Sequence, residues 1–417
     1  MILRAICAHP RARQTWSAAR GRASAVDSAR SAYLPSINAT AGIQHDTVST
    51  RYDYSAYGLG SVDRSETTSA MQGSLDLSWL LFDFGQRGAS VRQTRALLAA
   101  ANADHDETLQ TIFFDAARAF YAVRDAQAAA RVAMLTEDVA REILAIAHAK
   151  HQAGAGALID QLQAQTTYRR AVLDRVAAEG NARTTTGLLA VAMGLDANVP
   201  VRIAETKAMP SERANDAGVD SLIDEAKARR PKLVAARAML DAARADIDAA
   251  RAQGRPTISL VGKRILNSSL HGKRSDDTPV SRRSSSVIGL QLTIPLFEGL
   301  NSGYRVAHML ARADEREADL HNTELQVSAE VWKSYHELQA DSTNLTNSRA
   351  LVEDAHRSLD ISRGRYKEGV GTFTELLNAQ TALSDAEKQR VLAVSKWRIS
   401  RIRLAASLGN LKLWSSD

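Results

Sequence analysis

Proline placement is the feature that most constrains how this chain of 417 residues can fold. All eight prolines lie within residues 10–35 or 200–295, so two long tracts, 36–199 and 296–417, contain none. Because proline inside a helix removes a hydrogen bond and clashes with the preceding turn, tracts without it can hold long helices. Residues 86–153 contain a single glycine, and about 68 residues at ~1.5 Å each would form a helix on the order of 100 Å long. Such a helix cannot lie inside a compact domain, where three or four turns are usual.

The chain also repeats itself. Pro10 and Pro35 are 25 residues apart, as are Pro231 and Pro256, and the two pairs are separated by 221 residues. Two further segments recur at a shift of 215: LDLSWLLFDFG at 75–85 matches LQLTIPLFEGL at 290–300, and HQAGAGALIDQLQAQ at 151–165 matches YKEGVGTFTELLNAQ at 366–380. We therefore predict a duplicated architecture, with a first repeat at 1–200, a linker at 201–229 and a second repeat at 230–413.

Each repeat contains two segments in which apolar and polar residues alternate. They lie near 36–45 and 72–82 in the first repeat, and near 256–266 and 286–296 in the second. A period of two predicts β-strands with one apolar and one polar face. The polar connections 45–70 and 266–286 predict exposed hairpin loops. A long helical pattern follows each strand pair and turns back at two glycines, Gly154 and Gly156 in the first repeat, Gly369 and Gly371 in the second.

Composition argues against several classes of protein. The excess of positive charge, 53 − 47 = +6, is spread along the chain, which disfavours nucleic-acid binding. No apolar run is long enough to predict a membrane-spanning helix. The only cysteine is Cys7, and His148 and His151 form a pair without a third ligand nearby, so neither a metal nor another cofactor is expected. No catalytic motif is present, and we expect no enzyme activity.

Four strands cannot close a barrel, because the smallest membrane barrels use about eight. Three chains would supply twelve strands around a water-filled lumen. A soluble sheet packed on helices is the alternative that the alternation alone leaves open.

The segments SAYLPSI, WLLFDFG and IPLFEGL, together with the two glycine turns, resemble the outer-membrane efflux protein (TolC-like) family. The resemblance implies a mainly α-helical fold with β-structure. Three chains would form a twelve-stranded barrel in outer-membrane lipid, continued by a helical periplasmic tunnel. The glycine turns would form its periplasmic tip, and the linker would form an equatorial belt. The implied partners are a homotrimer, a periplasmic adaptor protein and an inner-membrane transporter.

The resemblance implies a passive exit duct that exports small molecules across the outer membrane. One alternative is a type I secretion duct for a protein toxin of the adenylate-cyclase haemolysin type. An alternative from another class is a soluble coiled-coil scaffold. The family carries an export signal before its first helix, whereas the residues after Met1 are interrupted by Arg4, His9 and Arg11. We expect an upstream signal that places the protein in the outer membrane.

The resemblance also implies a constriction near the tip. Glu375 matches a family acid that points into the lumen, and Asn378 stands where the family has a second acid. Asp160 is the counterpart in the first repeat. We expect Glu375 and Asp160 two turns into the returning helices, although both could instead be ordinary acids at a helix N-terminus.

Overall fold

The computed structural model describes residues 9–201, 203, 218–272 and 282–409. Within those ranges the chain forms one four-stranded antiparallel sheet and seven α-helices. In chain order the elements are α1 (Pro10–Ser31), β1 (Ser36–Asp53), β2 (Ser61–Phe82), α2 (Gln86–Gln152), α3 (Leu158–Ala192), α4 (Val219–Arg229), α5 (Pro231–Gln253), β3 (Thr257–Gly272), β4 (Arg282–Thr293), α6 (Asn301–Lys367) and α7 (Phe373–Ser407). The prediction of a mainly helical chain with four strands is confirmed.

The duplication is visible in the lengths of the elements. Both repeats run helix, strand, strand, long helix and returning helix. The long helices α2 and α6 each have 67 residues, and the returning helices α3 and α7 each have 35. The additional helix α4 falls in the predicted linker, of which residues 202 and 204–217 lie outside the described part.

Small residues at regular spacing explain how so long a helix as α2 packs. Ala126, Ala133, Ala140 and Ala147 are all buried and stand seven residues apart. A seven-residue repeat keeps one seam of a helix facing its neighbours, as in coiled coils, and alanine lets those neighbours approach closely. None of the described helices combines the length and the apolar character needed to cross a membrane.

The sheet has the strand order β1-β2-β3-β4, and the described chain places no further strand beside β1 or β4. Its register sets Ile37 opposite Leu77, and Trp79 opposite Leu260, which itself pairs with Leu290. Because cross-strand partners share a face, these side chains lie on one surface, which we call the aliphatic face. The opposite surface carries a polar row in which Thr40 contacts Ser74 at 2.7 Å and the Ser74 hydroxyl donates to Asp76 at 2.6 Å.

The strands are longer than the sequence predicts, and the predicted loops are wrong in extent. β1 continues to Asp53 and β2 begins at Ser61, so only residues 54–60 connect them, instead of 45–70. β3 continues to Gly272, and β4 begins at Arg282. The added segments carry polar residues on both faces and therefore lack the strict alternation that marks a half-buried strand. β4 ends at Thr293, short of the predicted residue 296, because Pro295 has no N–H to donate.

The chain divides into two compact units. A helical unit contains residues up to Arg20, Ala99–Arg237 and residues from Ala318 onward, and a sheet unit contains Gly21–Leu98 and Ala238–Glu317. Each unit draws on both sequence repeats. The helical unit holds the main apolar clusters, of which the one that bears on function surrounds Leu376 and Phe373.

Candidate functional site at the helical turns

Two glycines end the long helices in the same way. Gly154 has φ 71° and Gly369 has φ 79°, in the left-handed region that glycine adopts without steric cost. At the first turn, the Gly154 N–H donates to the His151 carbonyl at 3.0 Å and the Ala155 N–H donates to the Lys150 carbonyl at 2.9 Å. The second turn has the equivalent bonds, from the Gly369 and Val370 N–H groups. This pair of bonds is a Schellman cap, and it satisfies carbonyls at the end of each helix.

The second glycine of each turn is required for a different reason. A Cβ atom added at Gly156 would lie 3.0 Å from the Lys150 Cβ, and one added at Gly371 would lie 2.9 Å from the Arg365 Cβ. Both contacts are closer than carbon atoms normally approach. The returning chain therefore passes directly against the helix it has just left, and only glycine leaves room for it.

The two turns pack against each other within the helical unit. The Lys150 ammonium donates to the Tyr366 carbonyl at 2.5 Å and lies 4.6 Å from the centre of the Tyr366 ring. Tyr366 is buried and meets Phe373 edge to face at 5.6 Å between ring centres. Beneath them, Ile143 of the first repeat and Leu376 of the second belong to one apolar cluster. The first and second repeats thus meet here through both apolar and cation–aromatic contacts.

The two predicted acids lie nearer to the turns than expected. Asp160 and Glu375 are both in the first turn of their helices, because α3 begins at Leu158 and α7 at Phe373. The expectation that they lie two turns in is therefore wrong, since it counted from the glycines instead of the helix starts. The Glu375 N–H donates to the Thr372 hydroxyl at 3.2 Å, which makes Thr372 the N-cap of α7.

The surroundings of the two acids differ. The Glu375 carboxylate is exposed and lies 3.9 Å from the Arg365 guanidinium. Asp160 is half-buried beside Tyr366, where burial and then the charge of Asp160 raise the pKa of the tyrosine hydroxyl. Tyr366 therefore stays a neutral phenol next to a carboxylate. Asn378 is exposed, one helical turn after Glu375.

Other candidate residues do not assemble into a site. The ring nitrogens of His148 and His151 contact Gln152 and the Gly156 carbonyl, respectively. Among the described residues, no group of three or more His, Cys, Asp or Glu side chains is placed to hold a metal ion. Cys7 lies outside the described residues.

Sequence reasoning missed the residues that surround the acids, which are Lys150, Arg365, Tyr366 and Thr372. Thr372 could have been found, because Thr-x-x-Glu at 372–375 is a helix-start signature. The other three give no local signal, since their contacts join residues up to 216 positions apart.

Comparison with known proteins identifies the family to which this arrangement belongs. The sequence profile of the family described as "Outer membrane efflux protein" matches residues 2–195 and 222–410, one match for each repeat. The chain belongs to the outer membrane efflux protein family.

Individual members of the family are similar over nearly the whole chain. Protein CyaE of Bordetella pertussis is 32% identical over 410 residues, which cover 98% of this chain and 82% of CyaE. The pyoverdine export outer membrane protein OpmQ of Pseudomonas aeruginosa is 26% identical over 92% of this chain and 78% of its own. The outer membrane protein TolC of Salmonella enteritidis is 24% identical over 93% of this chain and 76% of its own.

Solved structures of outer-membrane channels share the fold. The channel OprN superimposes with a TM-score of 0.84 at 20% identity, over 98% of this chain and 89% of OprN. The outer membrane protein VceC of Vibrio cholerae gives a TM-score of 0.83 at 19% identity, over 98% of this chain and 95% of VceC. The family resemblance seen in the sequence is therefore confirmed, and so is the role of an outer-membrane exit duct.

Proposed function

We propose that three copies of this chain form a passive exit duct, in which twelve strands close a barrel in outer-membrane lipid and the helices continue it as a periplasmic tunnel. The observation that carries the proposal is the sheet. Its outer strands β1 and β4 each have an edge unpaired in the described chain, and its aliphatic face is exposed, with Ile43 at 76% and Leu290 at 71%. Unpaired strand edges are not tolerated in lipid, so the edges need partner strands.

The mass of the purified protein in mild detergent tests this proposal. We expect three chains per particle, and loss of the barrel on heating when the particle dissociates. A monomeric particle with intact strands would contradict closure by three chains. Recovery in the soluble fraction would favour the coiled-coil scaffold, which family membership does not support.

We propose small molecules as the exported class. The relative OpmQ is named for pyoverdine export, and its similarity extends over 92% of this chain. A second candidate is type I secretion of a protein toxin, which the 32% identity to CyaE favours. Either cargo would pass without catalysis, because the relatives are channel proteins.

Complementation separates the two cargoes. Expressed in cells whose own duct has been deleted, the chain should restore resistance to small toxic compounds when paired with a proton-driven pump. Restored secretion of a repeat-containing toxin with an ABC transporter, but no restored resistance, would instead establish the second candidate. A neighbouring gene for a proton-driven pump would favour small-molecule export, and one for an ABC transporter would favour toxin secretion.

The partners follow from the same proposal. A periplasmic adaptor would dock at the helical turns of Gly154 and Gly369, and an inner-membrane transporter would complete the assembly. The linker 201–229 would contribute to a belt around the tunnel. The closed packing of the two turns through Lys150 and Tyr366 supports a defined docking surface. Cross-linking from a photoreactive residue at Ala155 should capture the adaptor.

We also propose that Glu375 sets the cation selectivity of the resting pore, since threefold symmetry would bring three carboxylates near one axis. Because Asn378 is uncharged, the pore would have one ring of carboxylates instead of two. Asp160 contributes less because it is half-buried beside Tyr366. Recordings of Glu375→Gln channels in planar bilayers should show reduced cation selectivity. Thr372→Ala is the matched control, because it removes the helix cap and keeps the carboxylate. Equal effects of the two changes would assign Glu375 to the helix N-terminus instead.

A further inference from the structure

Two neighbouring cations on β3 face opposite sides of the sheet and differ in their surroundings. Lys263 pairs in register with Asp76 on the polar surface, and its ammonium lies 3.4 Å from that carboxylate. Arg264, the next residue, pairs with Leu75 on one side and Ser286 on the other, and so lies on the aliphatic face. Among the described residues, no ion pair involves Arg264.

The neighbours of Arg264 are aliphatic or hydroxylic. Leu75 is 49% exposed, Leu266 two residues along β3 is 53% exposed, and Ile288 on β4 is 73% exposed. The nearest acid on the same face of the described strands is Asp63, which is 75 − 63 = 12 residues along β2 from Leu75, or about 40 Å. Asp63 is already held by Arg51 at 2.7 Å. Among the side chains that the structure describes, no carboxylate on this face is therefore close enough to neutralise Arg264.

A second arginine continues the same surface. Arg282 is in register with Ser268, four residues beyond Arg264 on β3, and thus faces the same way. Ser284 and Ser286 lie between them on β4 and on that face. Along β4, the aliphatic residues Ile288, Leu290 and Leu292 therefore give way to Ser286, Ser284 and Arg282, with Arg264 beside Ser286 on β3. We call these four residues, Arg264, Arg282, Ser284 and Ser286, the basic border.

The position of the basic border along the strands matches a membrane boundary. Arg264 is 264 − 257 = 7 residues from the start of β3, or about 23 Å of strand. At the strand tilt of roughly 40° in such barrels this is about 18 Å of height, and the long arginine side chain extends further toward the edge of an apolar band about 25 Å tall. An arginine on a lipid-facing surface is strongly unfavourable at the bilayer centre and nearly neutral at its edge, where its long side chain reaches the headgroups. The helices attach at the other end of the strands, so this edge is the outer one under the proposed topology.

We propose that the basic border binds the phosphate groups of an anionic lipid in the outer leaflet, with the guanidinium groups of Arg264 and Arg282 as its principal ligands. The inference rests on the proposed function, since it requires the aliphatic face to contact lipid. Guanidinium matches phosphate oxygens with two parallel hydrogen bonds, and the serine hydroxyls can donate to the remaining oxygens. The hydrocarbon chains of the same lipid would cover Ile288 and Leu290, which lie on the helix side of Arg264 in the register.

Binding of a phosphorylated glycolipid to the purified protein in mild detergent tests the inference, with retained lipids counted by native mass spectrometry. The probes are lipid A and chemically dephosphorylated lipid A. We expect wild type to prefer the phosphorylated form. The double variant Arg264→Gln, Arg282→Gln should lose affinity on the order of tenfold or more for that form only, because it loses two charge-assisted contacts.

Lys263→Gln is the matched control, since it removes the same charge from the adjacent residue on the opposite surface. It should bind both lipids as wild type does. Arg264→Lys should have an intermediate affinity for the phosphorylated lipid, because it keeps the positive charge but lacks the bidentate guanidinium group. The inference is overturned if the double variant and wild type bind equally, if Lys263→Gln is as damaging, or if millimolar inorganic phosphate displaces the lipid completely.

The mass and channel conductance of the same samples separate this inference from the proposed function. A wild-type protein that is not trimeric and does not conduct would refute the exit duct itself. A conducting trimer without preference for the phosphorylated lipid would refute only the basic border. If the double variant does not assemble, the single variants Arg264→Gln and Arg282→Gln decide the outcome by the same comparison.

Discussion

The two helical hairpins occupy equivalent places in the duplicated chain, yet they are held together differently. In the first, the buried Glu137 of α2 receives hydrogen bonds from Arg175 of α3 at 2.5 Å and from Arg141 at 2.6 Å. The residue 215 positions later is Val352, which packs with Ala355 and Ala386 in an apolar cluster. At this equivalent position, one repeat joins its helices by charge and the other by apolar contact.

The junctions between strand and helix differ in the same sense. After β2, the buried Arg87 donates to the Asp83 carboxylate at 2.9 Å and to the Leu80 carbonyl at 2.5 Å, and its guanidinium lies 4.5 Å from the Tyr33 ring centre. The counterpart of Arg87 after β4 is Ser302.

The backbone at both junctions nevertheless takes a similar path. Phe84 and Gly85 have positive φ in the first repeat, as do Gly299 and Leu300 in the second. Around the second junction, Phe297 is 83% exposed and Leu300 is 67% exposed. A duplicated fold thus keeps its backbone path while one copy replaces buried ion pairs by apolar surface. The two copies should therefore respond differently to mutation and to acid.

The largest difference is expected at the junctions. Arg87→Ala should lower the free energy of unfolding by about 3–5 kcal/mol, because it leaves the buried Asp83 carboxylate without its charge partner. Ser302→Ala, the same position in the second repeat, should change it by less than about 0.5 kcal/mol. Denaturation midpoints followed by circular dichroism at pH 7 provide the measurement. Similar losses in the two variants would show that the junctions are equivalent after all.

The apolar side of the comparison is tested by Val352→Ala. Removing two methylene equivalents from the cluster with Ala355 and Ala386 should cost about 2 kcal/mol. The loss should be the same at pH 7 and at pH 3.5, since no ionisable group lies in that cluster. A loss that changed with pH would mean that charges also stabilise the contact around Val352. The same denaturation series measures it.

The turns are where the repeats should behave alike. Gly371→Ala should destabilise the protein by about 1–2 kcal/mol, because the new methyl group would collide with Arg365, and Gly156→Ala should match it closely. Gly364→Ala is the control: no atom lies within 4 Å of the new methyl group, and alanine favours a helix by about 0.5–1 kcal/mol. Stabilisation by Gly371→Ala would show that the returning chain can move away.

The smallest effect is expected at Glu137, and it should disappear in acid. The hydrogen bond from Arg175 is the main cause that holds the pKa of Glu137 below its usual value. A lowered pKa in the folded state gives stability that is complete above the ordinary glutamate pKa of about 4.3 and is lost as the pH falls through the folded value. Glu137→Gln should therefore weaken the protein at pH 7 and make its midpoint less dependent on pH below about 5. If the denaturation midpoint of the variant kept the pH dependence of wild type, the Glu137 carboxylate would not contribute to stability.

The helices could be predicted closely because their limits are set by local chemistry. The absence of proline and the glycine pair placed the end of α2 within one residue of Gln152. The strands could not, because beyond Gln44 polar residues occupy both faces, and their pairing depends on the partner strand opposite. At the bulge between Leu80 and Phe82, pairing skips Leu81 and sets Phe82 opposite Ile258, which no alternating pattern reveals.

The sequence pointed to two candidate acids but gave no information on their setting. Glu375 and Asp160 were found from the family resemblance, and the duplication relates their turns. The contact of Lys150 with Tyr366 joins the two repeats across 216 positions, and it exists only because both hairpins reach the same level. Such a contact follows from packing of the whole helical unit and has no signature in either segment alone.

The equal lengths of α2 and α6 bring the two turns to the same level. Inserting seven residues into one long helix would advance its turn by about 10 Å while leaving the other in place. Lys150 would then lie beyond the reach of Tyr366, and the apolar cluster of Ile143 and Leu376 would lose its register. We expect natural insertions and deletions in these helices to occur in pairs, one in each half of the gene, and to be of matching length.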